Sequence, residues 1–474
     1  MKKKLLLMAL AVTMMATALV GCGGDKEQQT AGPEGKLTFS VGEWPNENTP
    51  EELERWEKHK TEYEEKYPDA EIIRDEWTYN METFLPKAVS GTLPTLYPCH
   101  LTETKKIINN NYAAEVTDAL KAKGWLEYMD PFQLGLCEKD GKYYGVPQGV
   151  YYQGLACSVE LFTQAGLVDE NGVPKFPQTW DEVAEYASII KQKTGKPGFV
   201  LPTLNNCGGW HFLNIAWSYG VDFMEEQADG TWKATFDSQE CADALQWVKD
   251  LKWKWDAIPD NTLINQQEMQ KLFGTLQGGM YITSGPDIFL QQTYAMPKEN
   301  WSYTKIPAGP KGRYAQVGGK TNMFSKEATT EQIIAGLNWL EVHQAFSPAI
   351  TEEQQTDALE KLKESWQVNL DKDYIVNYPV AGNFNVPELE EKKMEMWYEM
   401  TNIKPELVIT GKDKSDVNIL PEEPIECQAL YSVLDTIIQE VLINEDADPM
   451  ALVMEANAKC LADYLDEYNR KLIQ

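Results

Sequence analysis

Residues 36–74 read KLTFSVGEWPNENTPEELERWEKHKTEYEEKYPDAEIIR, and this stretch decides the fold class. Apolar and polar residues alternate over 37–41, which predicts a β-strand. The sequence Thr-Pro-Glu-Glu at 49–52 has the form of a capping box with proline at the first helical position, so a helix is predicted to begin there. Residues 71–74 return to strand character. The result is a β-α-β unit, in which the two strands are normally parallel.

The same alternation of helix and strand signals continues along the chain. Two more capping boxes occur at 179–182 (TWDE) and 329–332 (TTEQ), each ahead of apolar residues at helical spacing. Further extended segments are predicted at 198–201, 279–283, 301–306 and 315–318. This alternation favours an α/β architecture.

Length and charge narrow the function. A chain of 474 residues is too long for one ordinary core, so two lobes are expected. It has 43 basic and 73 acidic residues, a formal net charge of -30. Such a charge repels phosphate backbones, which excludes nucleic acid as a partner, and it favours neutral or cationic small ligands.

The N-terminus predicts where the protein works. Three lysines at 2–4 precede an apolar run at 5–20, which is typical of an export signal and is short for a membrane span. The run ends in Leu-Val-Gly-Cys, which resembles a bacterial lipobox. Residues 1–21 are therefore predicted to be a cleaved signal peptide, Cys22 the lipidated residue, and 22–35 a flexible tether. The expected location is the extracellular face of the bacterial membrane.

Motifs for catalysis and metal binding do not fit the sequence. Apart from Cys22 there are seven cysteines, an odd number without Cys-x-x-Cys spacing, so neither a disulfide framework nor a zinc site is expected. The four histidines form no His-Glu-x-x-His motif, and no Gly-x-Ser-x-Gly elbow occurs. We expect no cofactor, no metal and no enzymatic activity. A glycosidase stays open at this point, because carboxylate separations are not visible in a sequence.

Aromatic residues give the strongest hint of a ligand. Trp44, Trp77, Tyr151, Tyr152 and Trp210 lie beside turn-forming residues where strands are predicted to end. Ligands of open α/β sheets bind beyond the carboxyl ends of strands, and flat aromatic faces suit the C–H faces of sugar rings. A second set of tryptophans lies within predicted helices and is expected in the core: Trp180, Trp247, Trp253, Trp255 and Trp339.

The order of several segments resembles a known family, the extracellular solute-binding proteins of bacterial ABC transporters, of the sugar-binding type that includes maltodextrin-binding proteins. The stretches that carry this resemblance are 90–95 (SGTLPT), 140–147 (DGKYYGVP), 160–167 (ELFTQAGL), 177–182 (PQTWDE), 234–238 (ATFDS), 278–282 (GGMYI) and 306–310 (IPAGP). Together they cover most of residues 36–345. Beyond about residue 346 the match fades.

The resemblance implies an α/β fold of two lobes, similar to periplasmic binding proteins, with crossing hinge strands and a ligand cleft between the lobes. Lobe one would comprise 36–148 and 306–345, and lobe two 149–305 and 346–474. The protein would be a monomer that captures a carbohydrate, expected to be an oligosaccharide, by hinge closure. It would deliver this cargo to ABC permease subunits driven by a partner ATPase.

The expected ligand contacts combine aromatic stacking with hydrogen bonding to hydroxyls. Stacking is assigned to the five turn-adjacent aromatic residues named above. Hydrogen bonding is assigned to His100, Asp287 and Asn383. Asp287 stands where sugar-binding relatives often place a tryptophan, and Cys99-His100 stands where maltodextrin-type proteins tend to carry acids. These departures keep alternatives open: a polyamine or other small cation as ligand, a surface glycosidase, or a sensor or adhesion lipoprotein.

Overall fold

The structure is a computed structural model that describes residues 35–285, 287–379, 382–408 and 416–473. The predicted signal peptide, Cys22 and all of the tether except Gly35 lie outside the described residues. Within the described ranges, no helix is both long enough and apolar enough to cross a bilayer.

The strands of the described chain are short apart from two. In chain order they are β1 (Leu37–Val41), β2 (Ala70–Arg74), β3 (Leu96–His100), β4 (Glu138–Lys139), β5 (Lys142–Tyr143), β6 (Gly145–Tyr152), β7 (Gly154–Ser158), β8 (Met224–Glu226), β9 (Trp232–Ala234), β10 (Met280–Thr283), β11 (Trp301–Lys305), β12 (Ala308–Gly309), β13 (Gly312–Phe324) and β14 (Val417–Pro421). The two longest, β6 and β13, are the ones that cross between the lobes.

Helices occupy most of the remaining chain. They are α1 (Pro50–Lys66), α2 (Met81–Ser90), α3 (Leu101–Asn109), α4 (Thr117–Ala122), α5 (Pro131–Gly135), α6 (Val159–Ala165), α7 (Trp180–Thr194), α8 (Cys207–Tyr219), α9 (Gln239–Trp253), α10 (Gln266–Gly274), α11 (Ile288–Tyr294), α12 (Thr330–Gln344), α13 (Glu352–Asp371), α14 (Pro387–Met400), α15 (Cys427–Ile443), α16 (Pro449–Cys460) and α17 (Asp466–Ile473). A π-helix at Leu461–Leu465 joins the last two.

The predicted β-α-β unit is confirmed. Strands β1 and β2 pair in parallel with α1 between them. The hydroxyl of Thr49 does not cap α1 as predicted; it donates to the carbonyl of Asn46 at 3.3 Å. Thr179 caps α7, and Thr329 forms a complete capping box with Gln332 on α12. Local sequence thus placed these helix starts correctly, although one cap uses a different contact.

The sheet of lobe one continues into lobe two through the crossing strands. Its order is β2-β1-β3-β13, and β6 pairs with β13 in antiparallel orientation. The second half of β13 pairs with β3 in lobe one, whereas residues 313–317 pair with β14 in lobe two. One continuous strand therefore belongs to both lobes, which is the geometry of a hinge.

Lobe two is built around a smaller sheet and a layer of helices. The sheet has the order β10-β7-β11, with both outer strands antiparallel to β7. Helices α8, α9, α15 and α16 bury their apolar faces in one cluster with this sheet. Trp180 and Trp247 lie in that core as predicted, but Trp253 does not, since it ends α9 with 37% of its surface exposed.

Hydrophobic clusters show with which lobe the residues near the predicted lobe boundaries pack. Ile306 and Ala315 are buried in the same cluster as the lobe-two helices. Phe346 is buried in the lobe-one cluster, and Phe384 packs against it from the long segment assigned to lobe two. The Phe384 ring also packs edge-on against Trp125, with centroids 5.8 Å apart.

Candidate functional site

A cavity of about 600 Å³ lies between the two lobes, against the crossing strands. We call it the cleft cavity. Lobe one contributes Tyr79, Asn80, Glu82, His100, Leu101, Thr102 and Glu103. The crossing strands contribute Tyr151, Gly318 and Gly319. Lobe two contributes Asn205, Asn206, Cys207, Trp210, Gln266, Glu422, Gln428 and Tyr431. Ligands bind in clefts of this size and polarity, with aromatic faces and a few polar groups.

The lobe-two wall depends on the close approach of α8 to α15. A Cβ at Gly209 would lie 2.5 Å from the carbonyl oxygen of Tyr431, so only glycine allows this approach. The Asp435 carboxylate accepts from the backbone N–H groups of Asn206 at 2.8 Å and Gly209 at 2.7 Å. These contacts satisfy the start of α8, where helix N–H groups lack internal partners. They also hold Trp210 toward the cavity.

Glu422 is a carboxylate on the lobe-two wall that neutral groups surround. Its Oε1 accepts from Trp210 Nε1 at 2.7 Å, from the Tyr431 hydroxyl at 3.0 Å and from Gln316 Nε2 at 3.4 Å. Burial raises the pKa of Glu422 to about 7, against the opposing effect of the hydrogen bonds. The negative charge of Glu103, on the opposite lobe, contributes to this rise in the pKa.

Glu103 faces the cavity from lobe one. It is 6% exposed and accepts a hydrogen bond from the Tyr79 hydroxyl at 2.9 Å. Burial, and then the neighbouring Glu103 charge, raise the pKa of Tyr79 well above its usual range, so Tyr79 remains a donor. The two lobes thus present one buried or half-buried carboxylate each.

Three of the predicted site residues line the cleft cavity: His100, Tyr151 and Trp210. His100 ends β3, and its ring lies edge-on to Tyr79 with centroids 6.0 Å apart. Tyr151 is 38% exposed on β6, and its ring lies over Gly318, where a Cβ would approach it to 2.5 Å. The aromatic groups are therefore available for stacking from the hinge and from lobe two.

Trp44 and Trp77 are not among the residues that line this cavity. Trp44 is 3% exposed, stacks on Trp339 and donates from Nε1 to Glu57 at 3.2 Å. The chain turns back over α1 after β1, which puts its indole in the lobe-one core. Trp77 packs edge-on against Tyr79 and donates to Thr83 at 3.1 Å.

Tyr152, Asp287 and Asn383 also lie outside the lining of the cleft cavity. Successive strand residues face opposite sides, so Tyr152 packs with the cluster behind the hinge, where Tyr151 faces the cavity. Asp287 caps α11 and accepts from Gln270 Nε2 at 3.0 Å. Asn383 lines a smaller cavity of about 250 Å³ on lobe one.

Sequence reasoning missed the residues that carry most of the polar chemistry. Glu103 stands three positions after His100, at the start of α3, and could have been found from that proximity. Glu422 and Tyr431 follow β14, beyond the stretch of resemblance, where no local pattern marks a site. Across the described ranges, no group of three or more histidine, cysteine, aspartate or glutamate side chains is arranged to hold a metal ion.

Trp44→Phe should lower the stability of the protein without weakening ligand binding. The substitution removes the hydrogen bond to Glu57 and part of a buried ring, so the free energy of unfolding should fall by about 1–2 kcal/mol. Ligand affinity should stay within about twofold, because the residue contacts no part of the cleft cavity. Urea unfolding and calorimetric titration measure the two quantities. A tenfold loss of affinity at unchanged stability would instead show that Trp44 contributes to ligand binding.

Glu422→Gln should change how stability depends on pH. Burial raises the pKa values of Glu422 and Glu423 to about 7 and of Asp435 to about 6. In the window from the usual carboxyl pKa up to these values, the folded state binds more protons than the unfolded state. These groups therefore lower stability as pH rises through that window. Burial lowers the pKa of His211 to about 4 and that of His343 to about 3, from the usual value of 6.5. These two groups therefore raise stability as pH rises toward 6.5, because the unfolded state binds more protons there.

The difference between wild type and Glu422→Gln isolates one of these groups. Between pH 5.5 and 8.0 the variant should lose less stability than the wild type, because it has one fewer buried carboxyl to ionise. Urea midpoints at the two pH values measure this. Equal losses in both proteins would mean that Glu422 ionises in the folded state as readily as in the unfolded chain. Glu82→Gln, which removes an exposed carboxyl from the same cavity, serves as the control.

Comparison with known proteins identifies relatives of parts of this chain. The family model of bacterial extracellular solute-binding proteins matches residues 46–345. A binding protein of Brucella abortus (strain 2308) is 25% identical over 228 residues, which are 48% of this chain and 52% of that protein. The arabinooligosaccharide-binding protein of Halalkalibacterium halodurans is 29% identical over 119 residues, 25% of this chain and 24% of that protein. The chain spans about half the length of the Brucella relative and about a quarter of the other.

A solved structure with a similar fold covers nearly the whole chain. It is the crystal structure of the cyclic alpha-maltosyl-1,6-maltose binding protein from Arthrobacter globiformis, with a TM-score of 0.65 and 20% identity. The alignment covers 90% of this chain and 100% of that one. This likeness confirms the predicted two-lobed α/β fold.

Proposed function

Since this chain belongs to the bacterial extracellular solute-binding protein family, we propose that it captures a carbohydrate in the cleft cavity and delivers it to an ABC permease. The proposed cargo is an oligosaccharide. The observation that carries this proposal is the cavity itself: it lies between the lobes and combines exposed aromatic faces with polar side chains. Two similar proteins, an arabinooligosaccharide-binding protein and a cyclic alpha-maltosyl-1,6-maltose binding protein, support a sugar as the ligand class.

The proposed contacts divide between stacking and hydrogen bonding. Tyr151 and Trp210 offer flat faces to the C–H faces of sugar rings. His100, Glu103 and Glu422 offer hydrogen bonds to hydroxyl groups from both lobes. A ligand held by all five would contact both lobes and the hinge together.

Binding would shift the protein toward a closed form through the crossing strands. Strand β13 pairs with β3 in lobe one and with β14 in lobe two, so a small change within it reorients one lobe against the other. Only a ligand that interacts more strongly with the closed form favours closure. The closed form would then present a composite surface to the permease, and a partner ATPase would supply the energy for transport.

The proposed location is the extracellular face of the bacterial membrane. Membership of an extracellular family supports export, and the lipobox supports attachment through Cys22. A Cys22→Ser variant should therefore be released into the culture medium, whereas the wild type should stay with the membrane fraction. The protein is proposed to act as a monomer.

The proposed activity is binding and not catalysis. The family and the similar structures are binding proteins, which supports this assignment. A surface glycosidase is the competing activity, because Glu103 and Glu422 occupy opposite walls of one cavity. Sugar recovered intact after prolonged incubation with the protein would exclude it, and cleaved sugar would contradict the binding proposal.

A thermal-shift screen of the mature domain tests the ligand class. Neutral mono- and oligosaccharides, amino sugars, polyamines and amino acids would each be added in large excess. A ligand at about 100 times its Kd stabilises the folded state by roughly 2.7 kcal/mol. We expect a positive shift with at least one oligosaccharide family. A shift with polyamines or amino acids alone would contradict the proposed carbohydrate cargo.

A further inference from the structure

The cleft cavity is lined by carboxylates without a cationic side chain beside them. Its described lining includes Glu82, Glu103 and Glu422, and neither lysine nor arginine is among these lining residues. The hydrogen-bond donors that Glu103 and Glu422 have are all neutral: two tyrosine hydroxyls, one indole and one amide. Among the described residues that line this cavity, no lysine or arginine offsets the negative charge.

An adjoining cavity of about 440 Å³ extends this negative region. We call it the distal cavity. It shares Tyr79 and Glu103 with the cleft cavity and lies between lobe one and the C-terminal helices. The acidic residues that it adds are Glu426, Asp463 and Glu467. Lys106 is the one cationic residue of its described lining, and it already pairs with Glu426 at 3.1 Å.

Each of the two central carboxylates has one oxygen without a described partner. For Glu103, Oε2 accepts from Tyr79, and no described donor reaches Oε1. For Glu422, all three hydrogen bonds end on Oε1, and none reaches Oε2. Glu103 is 6% exposed and lines the cleft cavity, and the donor described for it is a neutral hydroxyl. A carboxylate that is buried in this way is stabilised when a ligand supplies further donors.

The two carboxylates repel each other across the cleft. They stand on opposite lobes, and the charge of Glu103 disfavours ionisation of Glu422. Closing an empty cleft brings these charges into a medium of lower polarity, which strengthens the repulsion. Sugar hydroxyls would donate hydrogen bonds but would bring no positive charge. A protonated amine would supply hydrogen bonds and a positive charge together, with up to three N–H donors for the carboxylate oxygens.

We propose that the cargo is an oligosaccharide that carries a free, protonated amine, which binds between Glu103 and Glu422 as the lobes close. The inference rests on the proposed carbohydrate function and goes beyond it by assigning the charge of the cargo. The aromatic residues of the cavity suit both parts of such a ligand. Tyr151 and Trp210 stack on sugar rings, and aromatic faces such as that of Tyr79 also attract an ammonium group.

Calorimetric titration with three matched trisaccharides tests this inference on the mature protein. The probes are the β-1,4-linked glucosamine trimer, its fully N-acetylated form and cellotriose, which differ only in the group at one ring position. At pH 6.5 the glucosamine trimer should bind at least thirtyfold more tightly than the other two, because the carboxylates favour the protonated form of its amines and a bound ammonium group favours the ionised form of Glu422. Equal or tighter binding of the acetylated or hydroxyl trimer would overturn the inference and leave the proposed carbohydrate function intact.

Substitutions of the two carboxylates locate the amine. Glu103→Gln and Glu422→Gln should each weaken binding of the glucosamine trimer at least tenfold more than binding of cellotriose, whose hydroxyls can still hydrogen-bond to the new amide. Glu364→Gln, which removes an exposed carboxyl on α13 that lines neither cavity, should change either affinity less than threefold. Circular dichroism and urea midpoints verify that each variant is folded. Equal losses for both sugars would contradict a charge-specific role.

Spermidine separates failure of the inference from failure of the carbohydrate function. If spermidine binds and none of the three trisaccharides does, both the amino-sugar inference and the carbohydrate function are wrong. If the glucosamine trimer alone fails to bind while a neutral sugar binds, only the inference is wrong. Tight binding of the glucosamine trimer together with weak binding of spermidine is the result that we expect.

Discussion

Trp210→Ala is expected to weaken oligosaccharide binding at least thirtyfold. The indole lines the cleft cavity from the first turn of α8 and donates to Glu422 at 2.7 Å. Truncation removes a stacking face and leaves the Glu422 carboxylate without one of its donors. Losses of about 2 kcal/mol or more are usual when a central aromatic contact is truncated, and each 1.4 kcal/mol is about tenfold in affinity. Calorimetric titration of the mature protein measures the change.

Two control variants make the Trp210 result specific. Trp210→Phe keeps an aromatic face but loses the hydrogen bond to Glu422, so its loss should be intermediate. Trp253→Ala truncates a partly exposed indole at the far end of α9 and should leave affinity unchanged. Unchanged affinity of Trp210→Ala, in a protein that is folded, would exclude this side chain from the ligand contacts.

Gly209→Ala is expected to lower both stability and affinity. The added methyl group would lie 2.5 Å from the Tyr431 carbonyl oxygen and 2.6 Å from its Cα, which are backbone atoms that no rotamer change can move. Overpacking of this kind costs about 1–3 kcal/mol, and a clash with backbone belongs at the upper end. If α8 moves away from α15, the Asp435 contacts to the start of α8 lengthen and Trp210 leaves its position.

Gly135→Ala is the matched control for Gly209→Ala. Gly135 lies in α5, and no heavy atom outside its neighbourhood would lie within 4 Å of an added Cβ. This variant should match or slightly exceed the wild type in stability, since alanine favours helix over glycine. Urea unfolding compares the two variants. Equal stabilities would mean that α8 and α15 adjust to each other without cost, which contradicts the close approach described for this wall.

Local pattern was sufficient for the framework of the fold. The β-α-β unit at 37–74 depends on residues that are neighbours in sequence, and its strands and helix were predicted from alternation and capping alone. The start of α12 at Thr329 was predicted for the same reason. The position of the hinge was harder to predict from the sequence. Strand β13 belongs to both lobes because it pairs with β3 and with β14, which are distant from it in sequence.

The sequence predicted residues of the candidate site only where the end of a strand or loop already leads toward the cleft cavity. His100 and Trp210 follow strand and loop ends that open onto the cleft cavity. Tyr151 and Tyr152 are adjacent tyrosines, so the sequence does not distinguish their roles. Only the register of β6 against β13 decides which one faces the cavity. Trp44 follows a strand end as well, yet the turn back over α1 buries it. Such outcomes depend on tertiary packing.

A crystal structure of the mature protein with the tightest-binding oligosaccharide tests the central claim most directly. The account predicts sugar density between the lobes, with a ring against Trp210 or Tyr151 and polar contacts to Glu103 and Glu422 from opposite walls. Sugar bound on one lobe alone, or outside the cleft cavity, would contradict capture by closure of the two lobes.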